Sequence, residues 1–398
     1  MNESSRSAVG YREGDWDEAE LVEFAIALRR RLGSNAVTFG LVFVAPNLSG
    51  RARELLELLR VHAQIPVLVG CSSMGLVEGG REIESASGVV LGLFALPGAI
   101  VQPVAFPATG DSGAIARRSV KDPAGIHGWL AFVEPFHTDA ENWIESLQSA
   151  FPGVPIYGGL ATGQPGEAAA QIYCDGEVIE AGGVALAVSG VRVLGAVAQG
   201  CTPVGETWTI TRSEGNIIHR IGNRPAVAVL EETFGDLDEE VRRRSRGSFF
   251  AGLAVDEYLE DHRRGDFLVR NLIGADPDSG ALAIAATPRQ GQTMQFQMRD
   301  ATAADEDIRR MLGRLRDDVG RSRVLGGCVS LCVGRGQGLF GERDHDAALV
   351  RQIIGPVGIA GFFCNGEFGP VGRRSFVHGY TASLVLFVEE DVRAEDDL

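Results

Sequence analysis

The sequence predicts an α/β (or α+β) fold in which repeated β-α-β-β units form mixed sheets. Three observations lead to this prediction. Three stretches of the 398-residue chain share one order of apolar runs, a helical segment separates the first two runs in each stretch, and glycines cluster where the runs end. A glycine at such a place marks a turn that needs positive φ or a close backbone approach. We therefore expect two interlocked halves that are related by an internal pseudo-repeat.

Each repeat has the order strand, helix, strand, small-residue turn, strand. The apolar runs lie at 40–46, 65–75 and 87–96 in the first repeat, at 128–136, 154–163 and 182–190 in the second, and at 327–336, 357–369 and 378–387 in the third. A short helix between two strands of one sheet implies parallel pairing of those strands. The last strand of each repeat returns after a glycine-rich turn, which favours antiparallel pairing and a mixed sheet.

A region of different character separates the second and third repeats. Residues 223–235 predict a helix, residues 248–287 a meander of short strands, and residues 303–319 an amphipathic helix. Residues 291–300 alternate apolar and polar side chains, which is typical of a half-exposed strand. The acidic ends of the chain are expected to be loose.

Composition and charge limit the classes of partner. The net charge of −16 repels phosphate backbones and anionic lipid, so neither nucleic acid nor a membrane surface is expected as a partner. The basic cluster at 242–246 follows four acidic residues and predicts a self-paired, solvated segment. The absence of an 18-residue apolar run and the acidic N-terminus argue against membrane insertion and a signal peptide, which favours a cytoplasmic protein.

The six cysteines form no CxxC pair and lie mostly in apolar runs, so reduced, buried thiols are expected. The histidines, cysteines and acids show no spacing that is typical of a zinc or calcium site. We therefore expect neither a metal nor another cofactor.

Several segments resemble a known family. GFFCNGEFGPVG at 361–372, followed by the strand at 378–387, resembles the closing signature of the FIST C-terminal domain, and CVGRGQGLFGERDHDA at 332–347 resembles another stretch of it. IPVLVGCSSMGLVEGG at 65–80 resembles the FIST N-terminal domain. The resemblance covers residues 20–388. It divides the chain into an acidic tail (1–19), an N-terminal domain (20–220), a C-terminal domain (221–388) and a second acidic tail (389–398).

The resemblance implies an intracellular sensory protein that binds a small ligand, with amino acids among the expected ligands. Bacterial members are often fused to signalling modules. Only eleven residues follow Phe387, too few for an output domain, so we expect a separate signalling protein as partner. A homo-oligomer is compatible with the sequence.

Ligand contacts are expected at the polar strand-end turns, because small polar side chains and backbone N–H groups there suit a carboxylate or amide ligand. Arginine can hold a carboxylate with two hydrogen bonds, although a buried ion pair would have the same sequence pattern. The turns of the first and third repeats are expected to face one cleft. Glycines that only permit tight packing are the alternative interpretation. The candidate residues are Cys71, Ser72, Ser73, Arg270, Arg335, Cys364, Asn365, Glu367 and His378.

Three other interpretations remain open. The first is an enzyme that uses Ser72 or Cys364, the latter with His378 as base and Glu367 as orienting group. The second is a nucleotide site, since Gly336, Gly338 and Gly341 form a GxGxxG pattern between a strand and a helix. The third is an interaction scaffold without a ligand.

Overall fold

The computed structural model describes residues 5–163, 169–244, 248–259 and 261–390. Most of the C-terminal acidic tail, the first four residues and positions 245–247 of the basic cluster lie outside the described residues. The chain divides into two compact units. The first unit comprises Met1–Val197, Arg309–Val377 and Thr381–Leu398, and the second comprises Ala198–Ile308 and His378–Tyr380. Within the part of the chain that the structure describes, no helix is long and apolar enough to cross a membrane.

The predicted α/β class with mixed sheets is confirmed, and the first two repeats follow one order of strands. The first repeat contains β1 (Ser7–Glu13), α1 (Glu18–Arg30), β2 (Phe39–Val44), α2 (Pro46–Ser49), α3 (Ala52–His62), β3 (Leu68–Ser72), β4 (Leu76–Glu78), β5 (Arg81–Ile83) and β6 (Gly88–Phe94). The second contains β7 (Ile100–Phe106), α4 (Ser112–Ser119), a 3-10 turn (Pro123–Gly125), β8 (Gly128–Val133), α5 (Ala140–Ala150), β9 (Ile156–Leu160), β10 (Ile172–Cys174), β11 (Glu177–Ile179) and β12 (Gly183–Ser189).

The second unit interrupts the third repeat in sequence, after β13 (Arg192–Gln199). Its strands form one seven-stranded sheet, and the predicted helix, meander and alternating strand are all found. The elements of this region are β14 (Cys201–Glu214), β15 (Ile217–Ile221), β16 (Arg224–Pro225), α6 (Ala226–Gly235), α7 (Glu239–Arg244), β17 (Phe249–Ala254), β18 (Phe267–Asp276), β19 (Ala281–Ile284), β20 (Thr293–Arg299) and α8 (Ala301–Val319).

The third repeat then continues with the same order as the other two. Its remaining elements are β21 (Val324–Cys332), α9 (Gln337–Phe340), α10 (His345–Ile354), β22 (Ile359–Cys364), β23 (Glu367–Val371), β24 (Arg374–His378) and β25 (Thr381–Val388). Residues 7–13 differ from the expectation of a loose N-terminus. They form β1 because Ala8 and Val9 are buried while the strand pairs along its length with β6.

The three repeats exchange strands in a cycle. In each repeat the second strand pairs parallel with the third and antiparallel with the last, as in the order β6-β2-β3. The short hairpin that follows does not join the sheet of its own repeat. Hairpin β4–β5 extends the sheet of the third repeat beside β22, β10–β11 extends that of the first beside β3, and β23–β24 extends that of the second beside β9.

A cluster of three phenylalanines, one from each repeat, lies in the shared core. Phe43, Phe132 and Phe362 have no exposed surface, and their ring centroids lie 4.7–5.5 Å apart. Aromatic rings at this spacing pack favourably in edge-to-face and offset arrangements. The cluster therefore ties the three sheets together from the inside.

A glycine stands at one equivalent position in each repeat, inside a strand rather than in a turn. Gly70, Gly158 and Gly361 each lie opposite the neighbouring parallel strand, and a Cβ atom there would overlap the carbonyl oxygen of the register partner. The overlap is with backbone, which cannot rotate away. These glycines are required by the close approach of the paired strands.

We predict that Gly70→Ala destabilises the protein by about 3 kcal/mol or more, because the new methyl group must displace strand β2. The matched control is Gly313→Ala in helix α8, where a Cβ atom would contact nothing. That variant should gain about 0.5–1 kcal/mol from helix propensity. Urea unfolding of both variants checks the prediction, and equal stability of the two would contradict it.

Candidate functional site

The strand-end turns of the three repeats meet in the first unit. The Ser73 hydroxyl donates a hydrogen bond of 2.6 Å to the carbonyl oxygen of Phe363, which joins the turns of the first and third repeats. The Ser72 hydroxyl donates to the carbonyl oxygen of Thr162 at 2.8 Å, which joins the turns of the first and second. All three turns therefore converge, and the second repeat takes part as well as the other two.

A cavity of about 490 Å³ opens beside these turns. Its walls are mostly apolar and come from the first and third repeats. They include the residues just after β3 and those at the ends of β21 and β22. The lining residues are Pro46, Met74, Gly75, Glu84, Ser85, Ala86, Val333 and Phe363.

Glu84 is the charged side chain of this lining. One of its carboxylate oxygens, Oε1, accepts a hydrogen bond of 2.8 Å from the backbone N–H of Gln337. The side chain is exposed, and the neighbouring Ser85 adopts φ of +55°, in the left-handed region that non-glycine residues rarely occupy. The cavity thus combines an apolar wall with a carboxylate held by a backbone contact.

The GxGxxG pattern does not form an open phosphate cradle. Gly336 adopts φ of +64° at the start of α9, and a Cβ atom there would lie 2.7 Å from Oε1 of Glu84. The Glu84 carboxylate therefore occupies the place where a dinucleotide phosphate would approach the backbone. Helix α9 is also only four residues long, so its dipole is small.

Arg335 has an ion-pair partner within the protein. Its Nε and Nη2 atoms lie 2.5 and 3.0 Å from the Asp346 carboxylate, and both side chains are fully buried. Burial opposes the charge of Asp346, but the adjacent guanidinium outweighs it and holds the pKa of Asp346 below its usual range. His345 Nδ1 lies 2.9 Å from the same carboxylate. The ion-pair alternative from the sequence thus describes Arg335, although its buried Nη1 atom has no hydrogen-bond partner among the residues that the structure describes.

Glu367 and Cys364 form a second buried polar contact. The Cys364 thiol donates to Oε1 of Glu367 at 3.2 Å, and the backbone N–H and hydroxyl of Thr381 donate to Oε2 at 3.1 and 2.7 Å. Burial raises the pKa of Glu367 to about 7. Burial, together with the neighbouring Glu367, raises the pKa of Cys364 well above its usual range. Cys364 is therefore held as a thiol, and Asn365 beside it is exposed.

The remaining candidate residues lie elsewhere. Cys71 is fully buried in the hydrophobic core, where burial raises its pKa well above the usual range. Arg270 and His378 are buried and belong to the second unit. Arg270 donates through Nη1 to the carbonyl oxygen of Val269 at 3.0 Å. Among the described residues, no cluster of three histidine, cysteine or acidic side chains could hold a metal ion.

The cavity includes residues that the sequence did not indicate. Met74 and Gly75 directly follow the polar turn Cys71–Ser73, and Phe363 precedes Cys364, so their neighbourhood was anticipated. No local sequence pattern indicates Glu84 as a site residue. It follows the three-residue strand β5, whose position depends on the pairing of its hairpin with the third repeat.

The fold and cavity define an α/β protein with three interlocked repeats and a small-molecule-sized cavity at their strand ends. The FIST N domain model matches residues 38–224, and the FIST C domain model matches residues 226–370. The chain therefore belongs to the FIST family, whose domains are generally described as sensory, signal-transduction domains. The boundary between the two matches falls within the second unit.

Two mycobacterial proteins are similar to this chain over most of its length. An uncharacterized protein of Mycobacterium tuberculosis (strain H37Rv) is 34% identical over 368 residues, which is 92% of this chain and 95% of the relative. An uncharacterized protein of Mycobacterium bovis is 33% identical over 369 residues, which is 93% of this chain and 95% of the relative.

The buried Glu367 predicts a pH-dependent stability. Because the folded state raises its pKa from 4.5 to about 7, folding takes up a proton in that window. The contribution of Glu367 to stability is therefore fully present below pH 4.5 and is lost as the pH rises towards 7. Glu367→Gln, which mimics the protonated acid, should lose this dependence, worth on the order of 3 kcal/mol.

Urea unfolding at pH 5 and pH 8 measures the effect. Glu82, whose pKa burial also raises to about 7, remains in the variant, so part of the slope persists. If the wild type and Glu367→Gln lose the same free energy of unfolding between the two pH values, the assignment to Glu367 is wrong.

Proposed function

We propose that this protein is an intracellular sensor that reversibly binds a small amine with an apolar side chain, such as an amino acid or a related metabolite. Binding would alter its contact with a separate signalling protein. The observation that carries the proposal is the Glu84 carboxylate at a cavity whose other walls are mostly apolar. Membership in the FIST family supports the sensory role.

The cavity has the size and lining that the proposal needs. Sites for small molecules commonly span about 300–1,000 Å³ and combine apolar walls with a few placed polar groups. At about 490 Å³, this cavity is large enough for a single amino acid. A ligand ammonium would pair with Glu84, while its side chain would pack on Met74 and Phe363. The negative net charge also attracts cationic ligands.

The buried nucleophiles support binding better than catalysis. Cys364 is fully buried and its pKa is raised, so the reactive thiolate is disfavoured. The Ser72 hydroxyl donates its proton to the carbonyl oxygen of Thr162, which is not a base that could accept it for catalysis. A cysteine- or serine-dependent enzyme at these turns would have to break these contacts first.

The convergent turns give the candidate residues Ser72, Ser73 and Glu367 a supporting part in this proposal. Ser73 bonds to the Phe363 carbonyl oxygen and accepts from the Gly75 N–H. Ser72 bonds to Thr162, whose hydroxyl accepts from the Met74 N–H, and Glu367 bonds to Cys364 beside Phe363. A Cβ atom on Gly75 would lie 2.7 Å from the Phe363 ring, so the wall is closely fitted.

We predict that Glu84→Gln weakens ligand binding at least tenfold, which is about 1.4 kcal/mol, because it removes the charge that pairs with the ammonium. Glu180→Gln is the matched control, since Glu180 follows β11 in the second repeat as Glu84 follows β5 in the first. Binding to the control should be unchanged.

Thermal-shift screening of the wild type against apolar amino acids, followed by titration calorimetry, makes the measurement. Each amino acid is compared with the acid that lacks its amine, which should not bind. Equal binding by Glu84→Gln, or by the amine-free acids, would contradict the ligand class. If no compound of the panel shifts the melting temperature, a scaffold without a ligand is favoured. If the protein turns over ester or amide probes and Cys364→Ala abolishes this turnover, an enzyme is favoured.

A further inference from the structure

Cys332 and Cys364 are the last residues of two neighbouring parallel strands, β21 and β22. They are register partners in this pairing. Partners on adjacent strands point to the same face of a sheet, with their Cα atoms about 4.8 Å apart. Disulfides accept Cα separations of about 4.4–6.8 Å, so the pair lies within bonding range.

The other cysteines in this region do not have such a partner. Cys328 lies on the same strand but is opposite Ala360, and Cys71 is opposite Phe43 and Ile172. Cys174 is the most exposed of the six cysteines, yet its register partners are Glu177 and Val69. Position in the sheet therefore distinguishes Cys332 and Cys364 from the rest.

The surroundings of the two thiols differ in a way that suits two different roles. At Cys332 the backbone N–H of Gly334 donates to Sγ at 3.5 Å, and Arg335 lies within electrostatic reach. The guanidinium is already paired with Asp346, so the Gly334 N–H is the contact that favours the thiolate, which is the nucleophilic form. At Cys364 the thiol proton already points to the Glu367 carboxylate. Cys332 is thus suited to attack, and Cys364 to resolve the product.

We propose that Cys332 and Cys364 form a redox-active dithiol that small hydroperoxides oxidise to a disulfide. The Cys332 thiolate attacks one oxygen of the peroxide, the O–O bond breaks, and a sulfenic acid and hydroxide result. Cys364 then gives its proton to Glu367 and attacks the sulfenic sulfur. The S–S bond forms, the S–O bond breaks, and the second hydroxide leaves. With hydrogen peroxide, two thiols lose two electrons and two waters form.

The ends of the two strands allow the small approach that the bond requires. Cβ atoms in a disulfide lie about 3.8 Å apart, closer than neighbouring strands usually bring them. Gly334 follows Cys332 by two residues, and Gly366 follows Cys364 by two residues with φ of +152°. Glycines tolerate changes in φ that other residues resist. The adjustment can therefore be confined to the strand ends.

The test treats the purified full-length protein with stoichiometric hydrogen peroxide, alkylates the remaining thiols and maps the peptides by mass spectrometry. We expect one disulfide, between Cys332 and Cys364, which dithiothreitol reverses. Cys174→Ser should behave as the wild type, because exposure does not determine the reaction. Glu367→Gln should form the disulfide at least tenfold more slowly, with a sulfenic acid at Cys332 that a dimedone probe traps.

Two results would overturn the proposal. In the first, both cysteines of the folded protein are still free thiols after peroxide treatment and are therefore alkylated. In the second, disulfides form among other cysteine pairs, as in the urea-unfolded chain. The wild-type mapping needs no variant, so a variant that fails to fold leaves the test intact. The proposal does not depend on the ligand cavity, and peptide mapping reports on the thiols whether or not an amino acid binds.

Discussion

Strand exchange between repeats is the constraint on which the rest of the first unit depends. Each six-stranded sheet contains a hairpin from another repeat, so the sheet of the third repeat is incomplete without β4–β5 of the first. The same exchange brings the strand-end turns together. The wall of the cavity, with Met74 from one repeat and Phe363 from another, exists only because the hairpin crosses over. Folding and the candidate site are therefore consequences of one pairing pattern.

Buried charge is the second organising feature, and it is compensated locally. Arg335 and Asp346 neutralise each other in full burial, while Glu367 is held by a thiol, a hydroxyl and a backbone N–H. Breaking such contacts one partner at a time leaves an uncompensated group in a medium of low polarity. The third-repeat turn thus carries much of the polar chemistry of the unit, next to the cavity and next to the cysteine pair.

Much of the fold could be predicted because the repeats bury continuous apolar runs separated by glycine-rich turns. The exchanged hairpins could not, since strands of three residues such as Leu76–Glu78 have no detectable periodicity and their partners are about 280 residues away in Ala360–Phe362. The polar turns lie directly beside the candidate cavity, whose lining includes Met74 and Phe363. Glu84 was not predicted, for the same reason as the hairpins. The sequence also left open whether Arg335 binds a ligand or pairs with Asp346, because sequence spacing does not encode that contact.

Hydrogen exchange read by mass spectrometry tests the strand exchange most directly. Under mild denaturant, amides of β4–β5 and of β22 should exchange in one cooperative opening with the same free energy, because β4 is hydrogen-bonded to β22 and completes its sheet. If β4–β5 opens at a much lower free energy while β22 stays protected, the hairpin is a dispensable edge, and the account of the cavity as a product of interlocked repeats is contradicted.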